Sequence, residues 1–211
     1  AEKAAVLALG LKKLGRKLTH AEFFDTIAVE SAGDHEKILQ RARDLGINLR
    51  RFSWRGSIYI GISCDETTAA ATIENVWQAF KSGDKDIPIS YTALAEETGA
   101  AIPASLARRS EFLTHPVFHR YRSETEMLRY LRRLSDLDLA LDRTMIPLGS
   151  CTMKLNATTE MMPLTWPEFG RIHPYVPVDQ VVGYQWLVED LEKKLCAITG
   201  YDAFSFQPNS G

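Results

Sequence analysis

Cysteine is scarce in this chain, with three in 211 residues, and Cys64, Cys151 and Cys196 lie far apart. No pair has the C-x-x-C spacing of a zinc site or a thioredoxin-like centre, and a reducing, intracellular setting is expected. Long apolar runs are also missing. None approaches the roughly 18 residues that a membrane-spanning helix needs, and the N-terminus lacks the layout of a signal peptide. Charge of one sign is not in excess either. Twenty-five Lys and Arg against 27 Asp and Glu leave a formal charge of -2, which gives no global bias toward nucleic acid or an anionic membrane. Internal repeats and low-complexity segments are absent as well.

What is present is the composition of an ordinary globular protein: 45% hydrophobic and 25% charged residues, with length enough for one core or two small ones. The chain opens without Met, directly in helical sequence, and reads as a segment entered midway. Val6, Leu7, Leu9, Leu11 and Leu14 among lysines predict an amphipathic helix over 4–14, ended by Gly15. A strand is expected over 23–29. Asp34 is expected to cap a helix that runs to Leu45 and stops at Gly46, and a strand over 47–52 completes a β-α-β unit. A turn at Arg55-Gly56-Ser57 leads into alternating Ile58, Ile60 and Ile62, a third strand. Asp65 and Thr67 are candidate caps for a helix with Ile73, Val76, Trp77 and Phe80 on one face. The polar, turn-rich stretch 81–88 is the natural boundary of this α+β layer.

Beyond Pro103 the chain turns basic, with arginine at 108, 109, 120, 122, 129, 132 and 133 against three glutamates before Asp136. Ser123 and Glu126 form a capping box for a helix over 124–135 whose Met127, Leu128, Leu131 and Leu134 are expected to face inward, leaving the arginines on a solvated or subunit-contact face. Residues 145–178 read as irregular, with five prolines and two glycines, a length of loop that usually serves a site or an interface. Val181, Tyr184, Val188, Leu191, Leu195 and Ile198 then predict an amphipathic helix, with Asp179 at its start and Gly200 at its end. A short strand over 203–206 is expected to follow.

Two segments could carry chemistry. The run Pro147-Leu148-Gly149-Ser150-Cys151-Thr152-Met153-Lys154-Leu155-Asn156 gathers hydroxyls, a thiol, an amine and an amide beside a flexible glycine. Lys154 as a Schiff-base amine, Cys151 as a nucleophile with His173 as the nearest base in sequence, a wall orienting a small polar substrate and a plain surface loop are all open. The turn Pro208-Asn209-Ser210-Gly211 presents backbone N–H groups and a hydroxyl that could hold a phosphate, or could simply turn the chain. His115 and His119 stand four apart, but Pro116 intervenes and no third metal ligand is implied. Cys64 and Cys196 read as buried small hydrophobes.

The run M-I-P-L-G-S-C-T-M-K-L-N from Met145 to Asn156 is highly specific. Together with T-W-P-E-F from Thr165, I-H-P-Y from Ile172, G-Y-Q from Gly183, L-C-A-I-T-G-Y-D from Leu195 and Q-P-N-S-G from Gln207, it closely resembles the glycine decarboxylase family, the P-proteins of the glycine cleavage system. F-F-D-T from Phe23, L-T-H-P-V-F from Leu113 and S-E-T-E-M from Ser123 resemble its single-chain bacterial members, so the likeness covers nearly the whole chain.

The resemblance implies an α/β protein, in which a small α+β domain is followed by the start of a fold-type I transferase domain dependent on pyridoxal phosphate. Residues 1–88 would be the small C-terminal domain of a first half. Residues 89–144 would be a helical, Arg-rich linker, and 145–211 the N-terminal segment of the second, cofactor-binding half. Asn209, Ser210 and Gly211 would lie beside the cofactor phosphate, and Ser150, Cys151, Thr152 and Lys154 at the rim of the active site. No catalytic residue is carried over, because the family's Schiff-base lysine belongs to an L-H-K-T motif absent from this sequence, which also removes Lys154 from that role. The implied substrate is glycine, the implied partner the lipoyl H-protein, and the implied assembly a homodimer, without nucleic acid or membrane. A bacterial cytoplasm is favoured over a mitochondrial matrix. The 211 residues alone are expected to be inactive. The alternatives are a free-standing α+β ligand-binding or oligomerisation module over 20–82, or nucleic-acid binding through the arginines at 108–133.

Overall fold

The computed structural model describes residues 1–81, 89–137 and 157–207. It combines helices with one small three-stranded antiparallel sheet, and its contacts divide the chain into two units, Ala1–Glu111 and Phe112–Gly211. The domain boundaries expected at 88 and 144 lie outside the described residues.

The first unit contains α1 (Glu2–Lys13), β1 (Thr26–Glu30), α2 (His35–Asp44), β2 (Arg50–Trp54), β3 (Ser57–Ser63), α3 (Ala70–Phe80) and α4 (Tyr91–Glu97). The glycine stops form as expected. After α1, Gly15 takes φ 76°, the Arg16 N–H reaches the Leu11 carbonyl at 2.9 Å and the Gly15 N–H that of Lys12, a Schellman closure. Gly46 closes α2 the same way, with the Ile47 N–H on the Ala42 carbonyl at 2.8 Å. That bond keeps Ile47 in the helix end, so β2 begins later than the apolar pattern suggested.

The sheet order is β1-β3-β2, with β3 antiparallel to both neighbours. The β-α-β unit is therefore split: the β2-β3 hairpin places β3 in the gap between β1 and β2. Arg55 and Gly56, at φ 49° and 80°, make the tight two-residue turn whose twist matches the strands. Ile27, Val29, Ile60 and Ile62 point to one face and are buried there with Leu7 and Leu11 of α1, Ile38 and Ala42 of α2, and Ile73, Val76, Trp77 and Phe80 of α3. Burial of these side chains drives the folding of this unit. The Trp77 indole N–H donates to the Leu7 carbonyl at 3.0 Å, and α1 approaches the ring so closely at Gly10 that a Cβ there would lie 2.3 Å from it.

Two expected caps act differently. Asp34 precedes α2 without capping it, because its Oδ2 takes the Arg16 guanidinium at 2.8 Å. Arg16 also donates to the Phe80 carbonyl at 3.1 Å and Arg41 donates to that of Lys81, so two cations satisfy the C-terminal end of α3. Asp65 and Thr67 lie in the loop before α3 rather than at its N-cap, which is Ala69. Asp65 Oδ1 accepts from the backbone N–H and hydroxyl groups of both Thr67 and Thr68 at 2.8–2.9 Å. Those four donors hold its carboxyl below its ordinary pKa of 3.8, the two side-chain bonds most of all.

The second unit contains α5 (Val117–Arg120), α6 (Glu124–Ser135), α7 (Thr158–Met161), α8 (Pro167–Gly170) and α9 (Val182–Thr199), with 3-10 turns at Met162–Thr165 and Val178–Gln180. The Ser123–Glu126 capping box is present at α6. The inward-facing stripe is not. Met127, Leu128, Leu131 and Leu134 are 41%, 59%, 50% and 43% exposed, because no described element of this unit covers that face. The stretch expected to be irregular holds α7, α8 and the first 3-10 turn within its described part, and the second begins at its last residue, Val178. Gly200 ends α9 at φ 76°, as expected, but Asp179 lies in the preceding 3-10 turn and the N-cap is Val181. Residues 203–206 are not a strand. The second unit has no strand among its described residues to pair with them, and the Phe204 N–H goes instead to Glu192 Oε1 at 3.3 Å.

Candidate functional site

The residues expected at the active-site rim, Ser150, Cys151, Thr152 and Lys154, lie outside the described residues, as do Asn209, Ser210 and Gly211 of the expected phosphate turn. Among the described residues the structure brings together two of the motif segments that stand apart in sequence. Phe169 of T-W-P-E-F meets Tyr184 of G-Y-Q edge to face at 5.7 Å, and the Tyr184 hydroxyl donates to the Phe169 carbonyl at 2.9 Å. Trp166 lies 6.2 Å from Phe169, extending the cluster. Gly183, beside Tyr184, faces open space, so no close packing requires a glycine there. In I-H-P-Y, the His173 ring lies 5.8 Å from Tyr175, and its Nδ1 accepts the Tyr175 N–H at 3.0 Å. With Nδ1 accepting, the neutral ring carries its proton on Nε2 as a donor and has no free nitrogen left to act as a base.

The remaining sequence candidates resolve into local structure. His115 Nδ1 accepts the Val117 N–H at 3.2 Å, and His119 places Nε2 2.7 Å from the Leu113 carbonyl and Nδ1 3.3 Å from Arg122. Both rings serve the turn that contains α5, and no group of three metal-ligating side chains occurs among the described residues. Cys64 is buried in the first core, and burial raises its thiol pKa, whereas Cys196 is only half-buried on α9. The arginine-rich segment is engaged with its own neighbours. Arg133 lies over the Tyr121 and Tyr130 rings, themselves stacked at 4.2 Å, and donates to the Tyr121 hydroxyl at 2.6 Å, while Arg132 pairs with Asp136 at 3.0 Å. Arg132 and Arg133 thus give N–H groups to the Asp136 carboxylate and the Tyr121 hydroxyl.

Two features of the first unit escape a reading of the sequence. A cleft of about 310 Å³ lies against α1, lined by Ala8, Leu9 and Phe23 with Lys12 and Glu22, and its lining contains no His, Cys or Asp. On the outer face of the sheet, Phe52 stacks on Tyr59 at 5.5 Å, with Trp54 6.2 Å from Tyr59; the Arg50 guanidinium lies over Phe52 at 5.1 Å and that of Arg55 over Trp54 at 4.5 Å. The alternation of Arg50, Phe52 and Trp54 is visible in sequence, but their meeting with Tyr59 depends on the hairpin register. No helix among the described residues is long and apolar enough to cross a membrane.

Comparison with known proteins adds what the described geometry lacks. The sequence pattern of the glycine cleavage system P-protein family matches residues 1–80. Across its full length the chain is 55% identical to a protein of Rhizobium leguminosarum bv. trifolii named glycine dehydrogenase (decarboxylating). Over 99% of the chain it is 56% identical to proteins of the same name from a Bradyrhizobium species and from Gluconobacter oxydans. In each case the chain spans 21% of the relative's length.

Proposed function

We propose that this chain, which belongs to the glycine cleavage system P-protein family, is the seam between the two halves of a glycine decarboxylase. The complete protein would decarboxylate glycine on pyridoxal phosphate and pass the aminomethyl group to the lipoyl arm of H-protein. The observation that carries this reading is identity of 53–56% to glycine dehydrogenases (decarboxylating) along essentially all of the chain, not in one motif alone. In this reading 1–88 closes the first half, 89–144 links, and 145–211 opens the cofactor-binding half. The open apolar faces of α6 and α9 then suit burial against the rest of a homodimeric enzyme. The bacterial source of the relatives supports a cytoplasmic setting.

By donor chemistry, the Asn209 amide, the Ser210 hydroxyl and the Gly211 backbone N–H suit a phosphate monoester, and Ser150, Cys151, Thr152 and Lys154 suit the mouth of a site for a small zwitterion. Pyridoxal phosphate, when bound, supplies the electron sink for loss of CO2, while the protein orients the substrate and sets its electrostatics. Without an L-H-K-T lysine the 211 residues have no anchor for that chemistry. The test compares two proteins in glycine–CO2 exchange. The complete enzyme exchanges and the 211-residue chain does not; in the complete enzyme Ser210→Ala weakens cofactor retention. Exchange by the chain alone, or undiminished retention in the variant, would overturn the respective assignment.

A second reading is favoured by one observation: every buried hydrophobic residue among those described lies between Ala4 and Leu94. A free-standing α+β module for ligand binding or oligomerisation would have that property. Limited proteolysis that leaves 1–111 intact while the rest is degraded, in a chain that shows no association with other P-protein segments, would favour it.

A further inference from the structure

The outer face of the sheet presents two cations, Arg50 and Arg55, that no acid neutralises among the described residues. Arg50, Phe52 and Trp54 alternate along β2 on the side away from the core, and Tyr59 joins them from β3. The Arg50 guanidinium lies 5.1 Å from the Phe52 ring centre and that of Arg55 4.5 Å from Trp54, with neither arginine in an ion pair among the described residues. Glu30, which pairs with Tyr59 across the sheet, is already engaged by Lys17 at 2.6 Å. Guanidiniums laid on rings keep their N–H edges outward in a fixed plane, the arrangement that takes carboxylates two bonds at a time.

The same geometry argues against stacking of nucleic-acid bases. Arg50 and Arg55 cover one face of Phe52 and of Trp54, and Tyr59 stacks on Phe52, so the rings are occupied platforms. The chain's net charge of -2 also lacks the basic excess that phosphate tracking uses.

The sheet edges differ in a way that matters here. Beyond β1, the chain itself covers the edge: Leu18 bridges Val29, the Thr19 N–H donates to the Ala28 carbonyl and the Glu30 N–H to that of Lys17, both at 2.9 Å. Beyond β2, no described strand pairs. Its far edge offers backbone donors and acceptors beside the two arginines, and an unpaired edge is a template for an added strand.

We propose that the free edge and outer face of β2 form a docking site for an extended acidic segment of a partner protein, which adds as a fourth strand and sets carboxylates on Arg50 and Arg55. The partner segment alternates acidic and apolar residues, the acidic side chains meeting the guanidiniums and the added backbone pairing with β2.

The test uses the whole 211-residue chain and an acetylated, amidated peptide of alternating glutamate and valine, followed by the indole N–H resonances and by fluorescence anisotropy of the labelled peptide. The Trp54 resonance moves on titration, whereas that of Trp77, buried and bonded to the Leu7 carbonyl, stays in place and reports an intact core. Arg50→Gln with Arg55→Gln weakens binding about tenfold or more, the scale of two lost charge-assisted bonds. The charge-matched change Arg129→Gln with Arg171→Gln, in the other unit, leaves it unaltered. A Trp54 resonance that does not move, or equal binding by both double variants, overturns the proposal. So does a stronger Trp54 response to oligouridylate than to the peptide, or one that tracks chain concentration without peptide, which would assign the face to nucleic acid or to self-association.

Discussion

Helices α3 and α6 are of similar length and both carry an apolar stripe at helical spacing, yet they end in opposite environments. In α3, Ile73, Val76, Trp77 and Phe80 are all buried, whereas in α6 Met127, Leu128, Leu131 and Leu134 are all exposed. The contrast extends to their units: among the described residues, the first unit holds every buried hydrophobic and the second none. An amphipathic pattern therefore states that a helix has a face to bury, and not that the neighbouring chain supplies the cover. The first unit closes its core internally with a sheet and four helices. The second spends its apolar residues on small local clusters such as Phe169–Tyr184 and on surface.

The strongest way to break that contrast is to damage the closed core. Gly10→Ala would drive a methyl group to within 2.3 Å of the Trp77 ring. We expect a loss of about 3 kcal/mol, the upper end of ordinary overpacking, read as a lower urea midpoint for the first unit. Replacing Trp77 by Phe removes the bond to the Leu7 carbonyl and part of the ring, and should cost about 2 kcal/mol in the same measurement.

In the second unit the effects should be local. Ser123→Ala removes the acceptor for the Glu126 N–H, and α6 should lose about 1 kcal/mol, seen as reduced helicity by circular dichroism in a peptide spanning 120–137. Leu131→Gln should change stability by less than about 0.5 kcal/mol in the isolated chain, since the side chain is already half exposed. A cost of several kcal/mol there would mean that the α6 face is covered in solution.

The smallest effect is one of pH. Asp65 has a depressed carboxyl pKa in the folded chain, so its contribution is present above the ordinary carboxylate value of 3.8 and is lost as the pH falls through the lower, folded value. Acid unfolding of the wild type should therefore be steeper over that range than acid unfolding of Asp65→Asn, and superimposable acid titrations would show that the turn adds nothing to stability.

Local punctuation was legible with good precision. Gly15, Gly46 and Gly200 end their helices in the left-handed conformation, Arg55-Gly56 turns the hairpin, and Ser123 with Glu126 caps α6, because each device is built from residues close in sequence. Less was legible where a local role competed with a distant partner. Asp34 has the right place for an N-cap, but Arg16 claims its carboxylate across the fold. Gly10 looks like a mild defect in a helix until Trp77, 67 positions later, is seen against it. For the site, the segments at 150–154 and 209–211 are readable as chemistry and as kinship, while the Phe169–Tyr184 contact became visible only with the fold.

The sequence by itself determined the glycine stops of α1, α2 and α9, the hairpin turn, the capping box of α6, which faces are apolar, and the kinship to P-proteins through long runs of specific residues. These depend on short-range backbone preferences and on residue identity. The tertiary structure alone decided that the apolar stripe of α3 is buried and that of α6 open, and that Arg50 and Arg55 lie on aromatic rings beside an unpaired strand edge. Those outcomes depend on strand register and on contacts between residues far apart in the chain, which no local pattern encodes.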